Sequence, residues 1–341
     1  QGGAGDPVEL RAHRPRGQDA AGKQEQGKGG STQAKGSGGA GGDGGGGADG
    51  AGCHAAEFMA TGPTDPPLRS RVLDTHCHLT FPDFAGRIPR VLAVAAERGV
   101  SGCITISTTT KDCRSALAIA REHPNVWCTA GVHPLYSDQG PHDWAALGEC
   151  ISDKKCVAWG ELGLDNHYNR PPRDVQHAVL HEQLAYIRGV SDRGVRKPIV
   201  LHCREAFDDL IPVLRDSGLD TTRMVFHCFT GTPADARKAL DLGAMISFTG
   251  VLTYRNAPEV RDAAAIVPID RLLVETDAPF LSPEPVRGKR PCEPWMASIT
   301  ADALAAVKGI SAAALRDQLD LNALKLFGIT TPPRLAPNET A

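Results

Sequence analysis

Residues 71–79 read Arg-Val-Leu-Asp-Thr-His-Cys-His-Leu. A short apolar run leads directly into a His-x-His pair. In an extended chain, residues two apart point to the same side, so His76 and His78 leave the end of such a strand together. Seven further apolar runs follow at intervals that suit a repeating unit: 102–106, 126–130, 156–159, 198–201, 224–226, 244–247 and 271–274, counting 72–73 as the first of eight. Short continuous apolar runs bounded by polar or turn residues suit parallel strands buried on both faces.

Helical patterns separate these runs. Residues 173–193 place Val175, Ala178, Val179, Tyr186 and Val190 on one stripe, with Asp174, Glu182 and Arg193 available to water. Ala116, Leu117 and Ala120 repeat the pattern after the second run, and Ala206, Leu210 and Leu214 after the fifth. Gly99, Gly194, Gly218 and Gly243 fall where helices should stop. Eight strands alternating with helices predict an α/β fold of the (β/α)₈ TIM-barrel kind. An open doubly wound sheet is the alternative, weakened because no glycine-rich dinucleotide fingerprint follows the first strand.

The barrel is expected over residues 71–328, a usual length for this fold. Residues 1–58 carry 19 of the 37 glycines, and the stretches 44–47 and 24–35 have almost no large apolar residues. Such a segment cannot bury enough surface to offset its ordering entropy, so 1–70 is expected to be a disordered, low-complexity tail. The chain begins with Gln, and Met59 is a candidate translation start. Residues 329–341 hold three prolines and are expected to fray.

Six polar residues close the strands. His76 and His78 follow the first run, Glu161 ends the fourth in Gly-Glu-Leu-Gly-Leu-Asp (160–165), His202 ends the fifth, His227 the sixth and Asp277 the eighth. The gaps match whole βα units: 83 residues from His78 to Glu161, 25 from His202 to His227, and 50 from His227 to Asp277. All six therefore fall on the catalytic, carboxyl-terminal face of a barrel. Imidazole and carboxylate are suitable ligands for zinc, manganese and related divalent ions. A lone His at a strand end is more often a satisfied polar residue, and a lone Glu or Asp a helix cap. Six such residues on one face point instead to a single metal site. His123, His142, His177 and His181 lack this placement and read as surface or helix-face residues.

With these motifs in view, the chain resembles the TatD family of metal-dependent deoxyribonucleases within the amidohydrolase-like hydrolases. The resemblance rests on DTHCHL (74–79), GVHP (131–134), GELGLD (160–165), HCREA (202–206), HCFTG (227–231), ETDAPFL (275–281), RGK (287–289) and NALKLFG (322–328). It implies two divalent ions, Mg²⁺, Mn²⁺ or Zn²⁺. His76, His78 and Asp277 would hold one, His202 and His227 the second, and Glu161 would be shared. It also implies substrate contacts from His133, Arg204 and Arg287, with Lys289 alongside in the RGK segment. Cys203 stands where the family often has Ser, and Arg290-Pro291 where an Asn usually follows RGK. The implied activity is stepwise 3′-to-5′ removal of nucleotides from single-stranded DNA, or RNA, with Asp277 and Glu161 as the catalytic carboxylates and Asp277 accepting the proton of the attacking water.

Two other readings stand beside it. The same metal chemistry serves deacylases of mischarged aminoacyl-tRNA and other ester or amide hydrolases, and the loops at the barrel mouth decide between them. A catalytically silent binding barrel would be expected to lack a ligand, and none is missing. The formal net charge of −3 excludes a uniformly basic nucleic-acid coat, so a nucleic-acid partner would be held locally. An aromatic content of 5% predicts a short substrate footprint. No stretch is apolar enough to span a membrane, and no obligate protein partner is evident. The ten cysteines include no CxxC pair, and Cys103, Cys128 and Cys156 lie in strand-like runs, so buried thiols in a reducing cytoplasm are expected.

Overall fold

The computed structural model describes residues 70–330. The expectations for residues 1–69 and 331–341, including a start at Met59, lie outside these. Eight strands form one parallel sheet in strict chain order: β1 (Val72–Cys77), β2 (Val100–Thr105), β3 (Val126–Ala130), β4 (Cys156–Asp165), β5 (Ile199–Arg204), β6 (Met224–Phe226), β7 (Met245–Phe248) and β8 (Leu272–Val274). Between and after them run α1 (Ile88–Glu97), α2 (Asp112–Glu122), α3 (Trp144–Ile151), α4 (Arg173–Asp192), α5 (Phe207–Asp216), α6 (Pro233–Asp241), α7 (Pro258–Ile266), α8 (Ala297–Lys308) and α9 (Ala312–Phe327). The expected (β/α)₈ barrel is therefore the fold. The four expected helix-stopping glycines all adopt positive φ, from 72° at Gly218 to 99° at Gly194.

Each strand sends at least one apolar side chain into a common inner cluster: Leu73, Ile104, Trp127, Val157 with Ala158, Val200, Val225, Met245 and Leu273. The barrel lumen is thus filled, not open. Leu326, Phe327 and Ile329 from the end of the fold join this cluster. Ile329 is 7% exposed and its N–H bonds the Leu324 carbonyl at 3.0 Å. The core therefore runs one residue beyond the expected boundary at 328, because that side chain still finds apolar partners. A larger second cluster lies between the strands and the surrounding helices.

β1 and β8 share no continuous ladder. An isolated parallel bridge, Cys77 with Ala278, joins them, with His78 N donating to Ala278 O at 2.7 Å and Asp277 N to His76 O at 2.9 Å. Below it the buried Asp74 carboxylate accepts from Thr276 N at 2.9 Å and Thr276 Oγ1 at 2.7 Å. Polar side-chain bonds thus supply the pairing that the three-residue β8 is too short to provide.

The α4 stripe differs from the sequence expectation. Ala178 is exposed, while Gln176 and Gln183 are buried beside Val179, Leu180, Leu184, Ile187 and Val190. The helix is rotated so that two amides face inward. Nine cysteines of the described residues are free, eight of them buried. Among the described residues no single helix is long and apolar enough to cross a membrane.

Candidate metal centre

The carboxyl-terminal ends of the strands gather the six sequence-selected residues. His76 lies within β1, at an irregularity of the β1–β2 ladder between Asp74 and Cys77. Glu161 lies inside β4 and not at its end. The strand continues to Asp165, and the β4–β5 register shifts between Trp159 and Leu162, across Glu161. Such local irregularities re-aim a side chain that a regular pleat would send elsewhere. Gly160 makes room for this one: with φ +127°, a Cβ there would stand 2.6 Å from the Val200 carbonyl oxygen. Asp277 follows β8 at φ +58°, a conformation that Asp tolerates better than most residues.

Glu161 is the centre of the cluster and is 1% exposed. Its Oε2 lies 3.4 Å from His76 Nε2. Its Oε1 lies 2.6 Å from His227 Nε2, 2.7 Å from His202 Nδ1 and 3.3 Å from His133 Nε2. On the His76 side, His78 Nε2 is 3.3 Å from His76 Nε2 and 3.3 Å from Asp277 Oδ1. Three groups of ligand atoms lie close enough to hold an ion: His76, His227 and Asp277; His76, His78 and Glu161; and His133, Glu161 and His202. His133, marked beforehand only as a substrate contact, thus stands within the donor cluster.

This arrangement fits divalent metal. Ligand atoms about 2.0–2.2 Å from one ion sit roughly 3–3.5 Å from each other; the His76, His78 and His133 contacts match this, while His202 and His227 lie at hydrogen-bond length, 2.7 and 2.6 Å, from Glu161. Among the described residues no Lys or Arg pairs with Glu161 or Asp277, so only imidazoles face these buried carboxylates. Burial, the largest influence on each acid, opposes ionisation. His227, His133 and His76 nevertheless hold Glu161 well below the usual carboxylate range, and His78, His76 and His227 lower Asp277. Burial keeps His76 and His133 below the ordinary imidazole value. Burial also acts against the charged forms of His202 and His227, but Asp165 and Glu161 raise His202, and Glu161 with Glu275 raises His227. Ligation needs ionised carboxylates and neutral imidazoles, so loading a cation would displace protons from the raised histidines, His78, His202 and His227.

Several supporting residues escaped the sequence reading, although three stand inside the quoted motifs. Asp165 Oδ2 bonds His202 Nε2 at 3.0 Å, leaving Nδ1 to face the cluster. Glu275 Oε1 lies 3.3 Å from His227 Nδ1, and the same carboxylate accepts from Cys228 N at 2.6 Å and Ser247 Oγ at 2.6 Å. Asp74 fastens the β1–β8 seam beneath His76. Gln183 clasps both backbone groups of Val132, next to His133, at 2.9 Å each, and Gln176 bonds Asp165 N at 2.9 Å and O at 3.0 Å. Two glutamines seven apart on an otherwise apolar helix stripe were the available signal.

The three basic candidates lie away from the donor atoms. Arg204 is 5.0 Å from the Tyr168 ring centroid and donates to Tyr168 Oη at 3.1 Å. Arg287 lies 3.9 Å over Tyr254. Lys289 lies 5.2 Å over Trp295, outside the mouth.

The comparisons agree with this geometry. The sequence model of the family described as "TatD related DNase" matches residues 73–328. The chain is 37% identical over 262 residues to the uncharacterized metal-dependent hydrolase YcfH of Escherichia coli K12, covering 76% of this chain and 96% of that protein. It is 35% identical over 264 residues to the 3′-5′ ssDNA/RNA exonuclease TatD of Erwinia tasmaniensis, covering 76% of this chain and all of that one. The crystal structure of YJJV, a TatD homolog from Escherichia coli K12, superposes with a TM-score of 0.70 at 30% identity, covering 76% of this chain and 99% of that one. A filled eight-stranded barrel, a buried His/Glu/Asp donor cluster on its carboxyl-terminal face and a family match across nearly all of the barrel lead to one conclusion: this chain belongs to the TatD related DNase family and is a metal-dependent hydrolase.

Proposed function

We propose that the protein is a two-metal phosphodiesterase that removes nucleotides from the 3′ end of single-stranded DNA or RNA. The observation that carries the two-metal part is the split of Glu161: Oε2 faces His76, while Oε1 faces His202 and His227. A carboxylate whose oxygens serve two imidazole sets is suited to be shared between two ions. His76, His78 and Asp277 would hold one, and His202 and His227 the other. Bound there, divalent ions supply Lewis acidity and lower the pKa of a coordinated water toward neutrality.

The chain's own residues supply the rest. Asp277 is the more accessible acid, with a side chain 16% exposed against 1% for Glu161, and it takes the proton of the attacking water. The new bond joins the water oxygen to phosphorus, and the P–O3′ bond breaks. The shortened strand keeps a 3′ hydroxyl, and the released nucleotide carries the 5′ phosphate. Arg204 and Arg287, each held against a tyrosine face, present planar donors to non-bridging oxygens. His133 borders the reacting group beside Glu161. The exonuclease named above supports the substrate assignment through its identity along its full length.

The test is hydrolysis of oligonucleotides labelled at either end, with Mg²⁺ or Mn²⁺, a chelator arm and Asp277→Asn. Asn keeps the backbone conformation tolerable but removes the charge and the base. Stepwise shortening from the 3′ end, abolished by chelator and reduced about a thousandfold or more by the variant, is the expected result. A folded, metal-loaded protein that cuts no oligonucleotide and instead hydrolyses aminoacyl esters or amides would overturn the substrate assignment.

A further inference from the structure

The flank of the barrel carries a charge concentration that the metal centre does not use. A cavity of about 350 Å³ lies between α1 and the loop that follows β8, lined by Arg87, Arg90, Arg98, Lys289 and Arg290 over the indole of Trp295. One carboxylate lines it, that of Glu293, and it is bound to Arg87 at 2.8 Å. Arg98 and Lys289 each lie 5.2 Å from the Trp295 ring centroid. Arg90 and Arg290 are exposed and have no acidic partner among the described residues. Five cations against one acid, in a chain of net charge −3, are a local excess whose self-repulsion an anion would relieve.

The cavity is continuous in sequence with the metal centre on both sides. The loop after β1 carries His78, then Phe81, then Arg87 at the start of α1. The loop after β8 carries Asp277, then Phe280, then Lys289 and Arg290. The Phe81 ring lies 4.8 Å from the His78 ring and 5.9 Å from the Phe280 ring. Both phenylalanines are partly exposed. On both loops a half-buried phenylalanine thus stands, along the chain, between the donor residue and the residues that line the basic cavity. Bases stack on such faces irrespective of sequence, and a basic groove tracks the backbone.

We propose that a single strand whose 3′ end occupies the metal centre passes its next bases over Phe81 and Phe280 and lays the phosphates on its 5′ side into this cavity. The inference rests on the nucleic-acid reading above and deepens it. The footprint is then longer than the low aromatic content predicts. The buried Trp295 forms the floor, Arg98 and Lys289 lie against its ring, and the unpaired Arg90 and Arg290 are free to meet the strand.

The experiment uses the full chain and the exposed pair of substitutions Arg90→Gln with Arg290→Gln. Binding of a labelled twelve-nucleotide strand is measured by anisotropy in chelator across a salt series, and hydrolysis of a dinucleotide is followed with Mn²⁺. The expected result is about tenfold weaker binding of the long strand and a salt slope smaller by roughly 1.4, two lost phosphate contacts at about 0.7 each on a single strand. Dinucleotide hydrolysis stays within about twofold, since the dinucleotide does not reach the cavity. Unchanged long-strand affinity and slope, with normal cleavage by the unsubstituted protein, overturn the path and leave the nuclease reading standing. Weaker binding of inorganic phosphate alone, with the long strand unaffected, makes this a free-anion site and also overturns the path. An unsubstituted protein that binds the strand through these arginines but cuts nothing keeps the path and overturns the nuclease reading. Neither binding nor cleavage overturns both.

Discussion

Glu161 sits almost fully buried among His76, His133, His202 and His227, and acids behind two of those rings, His202 and His227, hold them in place. Asp165 fixes the orientation of His202, and Glu275 that of His227. Removing such outer partners of metal-binding histidines typically costs about 10–100-fold in metal affinity or activity. Asp165→Asn and Glu275→Gln are therefore each expected to weaken metal binding by that range, measured by competition with a chromogenic chelator. Glu275→Gln should have the larger effect, because its amide would also place a donor against Cys228 N or Ser247 Oγ. Metal affinity within twofold of the unsubstituted protein in both variants would show that the rings are held by packing alone. Gly163 constrains the same site from the backbone side. Its φ is +149°, and a Cβ there would collide with the His202 carbonyl oxygen, so Gly163→Ala displaces the strand that carries His202.

Among the elements, α6 shows local chemistry acting without help from the core. Thr232 Oγ1 accepts from Asp235 N at 3.2 Å while the Asp235 carboxylate accepts from Thr232 N at 3.0 Å, a reciprocal capping box. Thr232→Ala should destabilise the fold by about 1 kcal/mol, read as a shift in urea midpoint at unchanged m-value. Burial acts to raise Asp235, but the Thr232 bonds and Lys238 bring it below its ordinary value. A depressed folded-state pKa stabilises above the unfolded value of about 3.9 and loses that stabilisation as pH falls through the folded one. Asp235→Asn should thus be less stable than the unsubstituted protein at pH 7, and the gap should close in strong acid. How far such elements were legible depends on what their residues signal. All eight apolar runs became strands, because parallel strands buried on both faces need nothing but apolar side chains. The length of β4 was not legible, since the continuous apolar run stops at Trp159 and the glycines in 160–165 add no side chain to extend it, yet there they let strands approach closely. Nor was the rotation of α4, because Gln176 and Gln183 are buried for their hydrogen bonds, and polarity then no longer marks the wet face. The convergence of the six selected residues was legible because strand ends on one barrel face must come together. The carboxylates behind them were not, since nothing in a linear motif says which acid faces which ring.

For the whole molecule, the barrel's weakest joint and its chemistry coincide. The seam between β1 and β8 has no ladder beyond one bridge, and Asp74 spans it with bonds to Thr276 directly beneath His76. Closure of the sheet and placement of the His76–His78 pair therefore depend on one buried carboxyl. Burial raises Asp74 well above its ordinary value, and the Thr276 bonds only partly oppose this. A raised folded-state pKa gives stability that is complete below the unfolded value and is lost as pH rises through the folded one. Ionising Asp74 is thus a cost to the folded state, set against the bonds with which its carboxyl joins the seam. Asp74→Asn keeps an acceptor for Thr276 N and offers its amide to Thr276 Oγ1, so it should match or exceed the unsubstituted protein in stability at pH 8. That advantage should shrink as the pH is lowered and the native carboxyl takes up its proton. Asp74→Ala should instead lose at least about 2 kcal/mol at every pH, because it leaves the Thr276 N–H buried without a partner and the Thr276 hydroxyl only the His76 carbonyl, 3.5 Å away, to donate to. It should also weaken metal binding, since His76 O accepts the Asp277 N–H across the same seam. Urea midpoints for the three proteins between pH 5 and 8 decide it. An Asn variant that is less stable at pH 8 by as much as the Ala variant would mean that the seam needs the charge itself, and that Asp74 is ionised because the fold requires it.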